Sequence, residues 1–154
     1  NTTIIIQGKR RFEMLEPVQQ DPYLTAKVNL LPENFPSNSS KEVKAMVKSL
    51  KEAAGKILNL RPEIPREAQI AIENIESPSF LTNFLSSNLD AEVSDKQKIL
   101  ELSDGMERAE LLLQYMQKDI QLLELKHEIQ NKVHSDLDQQ QRDYFLRQQI
   151  KVLQ

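Results

Sequence analysis

The rhythm of apolar and polar residues changes twice along this chain, from extended to helical and then to one long amphipathic run. Residues 2–7 are β-branched and close at Gly8, ahead of the basic run Lys9, Arg10 and Arg11. Leu24, Ala26, Val28 and Leu30 alternate with mostly polar partners. That period of two gives a strand one buried face. Between them, residues 12–18 predict another strand, broken near Pro17. Three strands do not close a core of their own, so the pattern predicts the tail of a larger β-domain. Residues 31–40, rich in proline, asparagine and serine, read as a linker.

Beyond the linker the pattern is helical. Ser39 and Glu42 have the spacing of a capping box, ahead of Val43, Met46, Val47, Leu50, Ala54, Ile57 and Leu58 at helical intervals. Pro62 and Pro65 end that helix and open a short one carrying Ala68, Ile72 and Ile75. Ser77 followed by Pro78 is an N-cap with proline at the first helical position, and Phe80, Leu81, Phe84, Leu85 and Leu89 supply an apolar face. Ser94 and Gln97 form a second capping-box pair before Ile99, Leu100 and Leu102, and Asp104 with Glu107 caps the last helix.

That last helix spans residues 104–154 without interruption, free of proline and of glycine after Gly105. Roughly 50 residues at 1.5 Å each make about 75 Å, more than a bundle of this size can flank, so part of it must project. No helix-stop residue precedes Gln154, which predicts that the helix runs on in a longer protein. Ala109, Leu112, Leu113, Met116, Ile120 and Leu123 form a dense stripe for the bundle. Leu122, Leu125, Ile129, Val133 and Leu137 continue as a narrower seam, a candidate for helix–helix contact. Residues 138–143 are polar, and the pairs Glu128–Lys132, Asp138–Arg142 and Asp143–Arg147 have i,i+4 spacing. Tyr144, Phe145, Leu146, Ile150, Val152 and Leu153 then bring apolar character back. Of these, Tyr144, Phe145, Leu146 and Ile150 are the candidate protein-binding residues, because aromatic anchors dominate peptide-binding hot spots. The alternative is that they pack on a module beyond the helix or on a neighbouring subunit. The expected fold is α+β: mainly α with a small antiparallel β remnant, four short helices and one very long projecting helix.

Composition narrows the function classes. A net charge of −3 argues against a nucleic-acid partner, and no apolar run reaches the length of a membrane span. The absence of cysteine excludes disulfides and thiolate metal sites. No catalytic, metal or cofactor site is assigned. Gly55-Lys56 lacks the rest of a phosphate-binding loop. His127-Glu128 begins like a zinc-binding H-E-x-x-H, but Asn131 stands where the second histidine belongs. His134 lies roughly 10.5 Å farther along the axis, too far to share an ion with His127. His134 and Asp138 are read as two solvated polar residues, and Glu124 and Glu128 as part of a solvent face.

The residues nevertheless resemble one family. Residues 94–101, SDKQKILE, are similar to the "DKQ-x-x-LE" run of the ATP-dependent protease Lon, and Ser103-Asp104 through Glu107-Arg108 to its "SD-x-x-ER" continuation. Residues 141–151, QRDYFLRQQIK, resemble the family's "QREYYLREQMK" run. Gly8 and Arg11 match its "G-x-x-R", and residues 23–32 the strand after it. The resemblance implies a piece of a bacterial-type Lon N-terminal region. Residues 1–33 would be the last strands of its β-rich subdomain, 34–103 its helical subdomain, and 104–154 the helix leading to an ATPase module absent here. By the same resemblance, ATP, magnesium and the Ser–Lys protease dyad belong to missing modules, and no catalytic residue is carried over. It implies a role in recognising and delivering unfolded, damaged or tagged proteins, and in assembling a hexameric ring with other Lon subunits. The alternative role is that of a structural spacer or coiled coil at the ring's entrance. The compartment implied is the bacterial cytoplasm, with the mitochondrial matrix second.

Overall fold

A computed structural model describes residues 1–153. Two strands and five helices succeed one another: β1 (Phe12–Gln19), β2 (Thr25–Leu30), α1 (Lys41–Leu60), α2 (Arg66–Glu73), α3 (Pro78–Asn88), α4 (Val93–Glu101) and α5 (Gly105–Leu153). The α+β class expected from the sequence is the class observed.

The β part is smaller than the pattern suggested. β1 and β2 form one antiparallel hairpin, running from the pair Phe12↔Leu30 to Gln19↔Thr25. Pro17 does not break β1. The register slips on both sides of it, between Met14 and Glu16 and between Pro17 and Gln19, and such bulges accommodate a residue that cannot donate to the ladder. Residues 2–7 form no strand, and Ile5 is 93% exposed. β-propensity reflects packing on a pleated surface, and these residues have no partner strand among the described residues. The alternating face expected of the second strand is not buried either, since Leu24, Val28 and Leu30 are exposed. A lone hairpin has no second layer to cover it.

The helical core is built from one stripe per helix. Leu50, Ala53 and Ala54 of α1, Ile72 of α2, Leu81 and Leu85 of α3, Ile99 of α4, and Ala109, Leu112 and Met116 of α5 form one buried cluster. Phe80 and Phe84 depart from expectation: they stack on each other at 6.2 Å on the outside of α3. Leu81 and Leu85 take the inward positions, and one helix face cannot turn both pairs to the same core. The N-caps divide in the same way. Ser77 Oγ accepts from Phe80 N (3.2 Å), and Asp104 Oδ1 accepts from Glu107 N (3.0 Å), as expected. The two capping boxes do not form. α1 starts after Ser40, with Ser39 Oγ instead bonded to Ser37 Oγ, and α4 starts after Glu92, which leaves Ser94 inside its first turn.

The linker is not free. Asn34 pairs with Asp104 in an isolated bridge, Gly105 N donates to Asn34 O at 2.8 Å, and Phe35 packs against the core. Glu33 meets two buried guanidinium groups: Arg11 Nε lies 3.6 Å from Oε1, and Arg108 Nη1 donates to Oε2 at 3.4 Å. Arg11 also donates to Leu100 O and Leu102 O (3.0 Å each) and to Pro32 O (3.3 Å), while Arg108 donates to Ile99 O (3.2 Å) and to the Asn83 amide oxygen. The Ile99, Leu100 and Leu102 carbonyls close α4, and the last carbonyls of a helix lack intrahelical donors. Burial holds Arg108 below the usual guanidinium range, the like charge of Arg11 adds to this, and Glu33 opposes it. The hairpin is thereby joined to α4 directly by Arg11 and to α5 by the Arg11–Glu33–Arg108 bridge.

This packing sets expectations for three substitutions. Glu33→Gln leaves two guanidinium groups facing each other and lowers unfolding free energy by about 1–3 kcal/mol in urea titrations, the carboxylate being part-exposed. The helical glycines should respond in opposite directions. A Cβ on Gly105 would lie 2.5 Å from Phe35 Cδ2 and 2.7 Å from Asn34 O, so Gly105→Ala costs about 1–3 kcal/mol. At Gly55 a Cβ meets only Gln69 Nε2 at 3.6 Å, and Gly55→Ala stabilises by about 0.5–1 kcal/mol, read as a higher Tm.

Candidate protein-binding surfaces of the hairpin and arm

α5 packs along α1, and at the far end of α1 His127 Nε2 lies 2.9 Å from Leu60 O. α5 is 49 residues long against 20 in α1, so it must outrun its support. Its stripe tapers as it leaves: Met116 is buried, Ile120 and Leu123 are half-buried, and every described residue from Glu128 onward is exposed. Residues 128–153 therefore form an arm of about 39 Å at 1.5 Å per residue.

The root of the arm is braced by charge. Arg61, just past the end of α1, donates to Asp90 Oδ2 at 3.0 Å and to Asp119 Oδ2 at 3.4 Å. Burial pushes the Asp119 carboxyl above the ordinary aspartate range, with Arg61 pulling it back. The hydrogen bond to Asp90 is the main cause that raises Arg61. Nearby, the Asp95 carboxyl is held below its usual range, first by the Lys98 hydrogen bond and then by Tyr115 Oη, which donates to it at 2.9 Å. An open groove of about 900 Å³ lies here, lined by Pro62, Val93, Tyr115, Leu122, Lys126 and His127 among others.

Along the arm, the seam residues Leu122, Leu125, Ile129, Val133 and Leu137 are all more than half exposed. So are Tyr144, Phe145, Leu146 and Ile150 near the tip. These four do not share a face. At 100° per residue, Phe145 lies about 100°, Leu146 about 200° and Ile150 about 240° round the helix from Tyr144. Tyr144 prolongs the seam, whereas Leu146 and Ile150 lie on the other side. The three ion pairs expected from i,i+4 spacing are not closed among the described residues. His134–Asp138 (3.8 Å) and Gln139–Asp143 (3.3 Å) form instead, because exposed pairs gain little over solvation. Among the described residues no group of three His, Cys, Asp or Glu side chains could hold a metal ion. None of their helices is long and apolar enough to cross a membrane.

Reading the sequence missed a second apolar surface. The hairpin exposes Phe12, Met14, Leu15, Val18, Tyr23 and Leu24, with Tyr23 and Leu24 in the turn between the strands. The signal was present: apolar residues occupy both alternating sets of β1, which a strand with one solvated face does not need.

The family model described as the ATP-dependent protease La (LON) substrate-binding domain matches residues 1–118, three-quarters of the chain and everything up to the first part of α5. The Lon protease of Cytophaga hutchinsonii is 66% identical over 154 residues, and that of Flavobacterium johnsoniae 49% over the same length. Lon protease 2 of Myxococcus xanthus is 34% identical over 153 residues. The chain spans only 19%, 19% and 18% of these relatives, about a fifth of their length.

The unsupported arm should be the first part of α5 to open. Amides of residues 130–150 should exchange with solvent at least about 100-fold faster than those of residues 109–120, read by hydrogen-exchange mass spectrometry.

Proposed function

The chain belongs to the family of Lon substrate-binding domains, and from that premise we propose that it captures unfolded protein substrates for a Lon-type ATP-dependent protease. The single observation that carries this reading is the family match over residues 1–118, which takes in the hairpin and the helical bundle. The chain contains neither the ATPase nor the protease module. It does no chemistry of its own, and ATP and magnesium act elsewhere in the longer protein. Its task is reversible binding, with delivery resulting from attachment to a long helix. The compartment we assign is the bacterial cytoplasm.

Unfolded polypeptide offers apolar side chains and unpaired backbone groups. The hairpin answers both, with exposed aromatic and aliphatic side chains on a two-stranded sheet whose outer edges pair with no further strand among the described residues. Strand addition at such an edge gives affinity with little sequence preference. Tyr23 and Leu24 are the first contacts assigned to substrate.

The second reading places substrate at Tyr144, Phe145, Leu146 and Ile150. The arrangement of these residues favours a different role for them. Apolar residues that encircle a helix suit a segment enclosed by several neighbours, such as other parts of the longer protein or adjoining subunits of a ring. The seam from Leu122 to Leu137 would then contribute to assembly, as a spacer or coiled-coil element, rather than to capture.

Binding of a fluorescent, permanently unfolded protein separates the two readings. Tyr23→Ser/Leu24→Ser should weaken binding about 10-fold or more, while Tyr144→Ser/Phe145→Ser should change it by less than about 3-fold. The reverse order moves capture to the arm. Absence of saturable binding by the unmodified chain removes the capture function.

A further inference from the structure

His127 occupies an unusual place. The stripe that holds α5 to the bundle runs through Met116, Ile120 and Leu123 at intervals of four and three, and the next position in that series is His127. An imidazole stands where another aliphatic side chain would continue the packing. It meets the one kind of group an aliphatic side chain could not satisfy there. Its Nε2 lies 2.9 Å from Leu60 O, the carbonyl of the last residue of α1. A carbonyl only accepts, so Nε2 carries the proton. Beyond this bond every described residue of α5 is exposed.

We infer that His127 is a positioning residue: its hydrogen bond to Leu60 O is the latch that fixes the direction in which the arm leaves the bundle. The Arg61 brace holds Asp119, two turns earlier, and therefore acts on the packed part of α5. Nothing described past His127 can correct an error in angle. A tilt of about 10° at this turn displaces Gln149, about 33 Å farther along the helix, by about 6 Å. Opening the latch therefore widens the volume swept by the tip without unfolding either helix. This inference concerns where the arm points and is independent of what the arm or hairpin binds.

The chain has no cysteine, so two spin labels can be placed cleanly at the exposed positions Lys48 on α1 and Gln149 on the arm. The distance distribution between them is measured by pulsed electron resonance in the unmodified chain and in three variants. His127→Gln keeps a donor of similar reach, His127→Phe keeps the ring without the donor, and His127→Asn is polar but too short. Circular dichroism confirms that each is folded. The expected result is a narrow distribution in the unmodified chain and in His127→Gln, and a broadened or shifted one in both other variants. Superimposable distributions in all four overturn the inference. So does broadening in His127→Gln equal to that in His127→Phe, since the hydrogen bond would then not be what sets the direction.

Discussion

The joint between the hairpin and the helical bundle is built around one carboxylate. Glu33 sits between Arg11, which precedes the hairpin, and Arg108, in the first turn of α5, and both arginines also bond carbonyls at the end of α4. Removing either charge alone would be costly, because a buried ion left unpaired loses solvation without compensation. The geometry also explains why arginine rather than lysine is used. A planar guanidinium can serve a carboxylate and several carbonyls at once, whereas an ammonium is a single point of charge. Arg108 is an awkward choice for the first turn of a helix, where the dipole disfavours cations. It is tolerated because it reaches away from its own helix, to the carbonyls that end α4 and to Glu33.

The same joint decides which surfaces stay available. Because the hairpin is attached by its base, where Arg11 bonds Leu100 O and Leu102 O at the end of α4, neither of its faces needs to pack on the bundle. Its apolar side chains are left exposed while its position remains defined. A recognition element benefits from that combination, since a rigid platform lowers the entropy lost on binding. The arm applies a similar division along one helix. Its first half is held by core residues and its second half is free to meet something else.

Much of this architecture was legible in the sequence. Helical periodicity located all five helices, and the Ser77-Pro78 and Asp104–Glu107 signals marked two starts correctly, because those caps depend only on neighbouring residues. The errors arose where a distant contact outweighed a local preference. Ser39 and Ser94 had the right spacing for capping boxes, yet α1 starts after Ser40 and α4 after Glu92, and neither of these residues makes a side-chain cap. The linker contained proline and asparagine in abundance, yet Phe35 and Asn34 dock against Gly105, and no local pattern encodes that approach. Arg11 was read as part of a basic run, although Lys9 and Arg10 beside it are exposed and only Arg11 is buried. Arg108 could have been suspected. It lies one turn before Leu112 on the face that packs, and a charge there needs a partner. The seam and tip residues were singled out by pattern alone, and their distribution round the helix emerges only when each is placed at its angle.

That distribution constrains what the arm can be. A solitary helix of this length in water is marginal, since most helical stability in proteins comes from packing one face. Here the expected ion pairs are open, and among the described residues only two side-chain contacts at i,i+4 spacing lie along the exposed part. What keeps the arm helical is continuity with a well-packed first half, which removes the cost of nucleation, together with the absence of glycine and proline. A helix sustained in that way stays helical to its tip but opens more readily there than at its root. The apolar residues lie where the intrinsic order is weakest. Burying them from several sides would restore the order that the bundle cannot supply, so the tip is suited to becoming fixed on assembly. The hairpin, already held at its base, is suited to meeting partners that change from one encounter to the next.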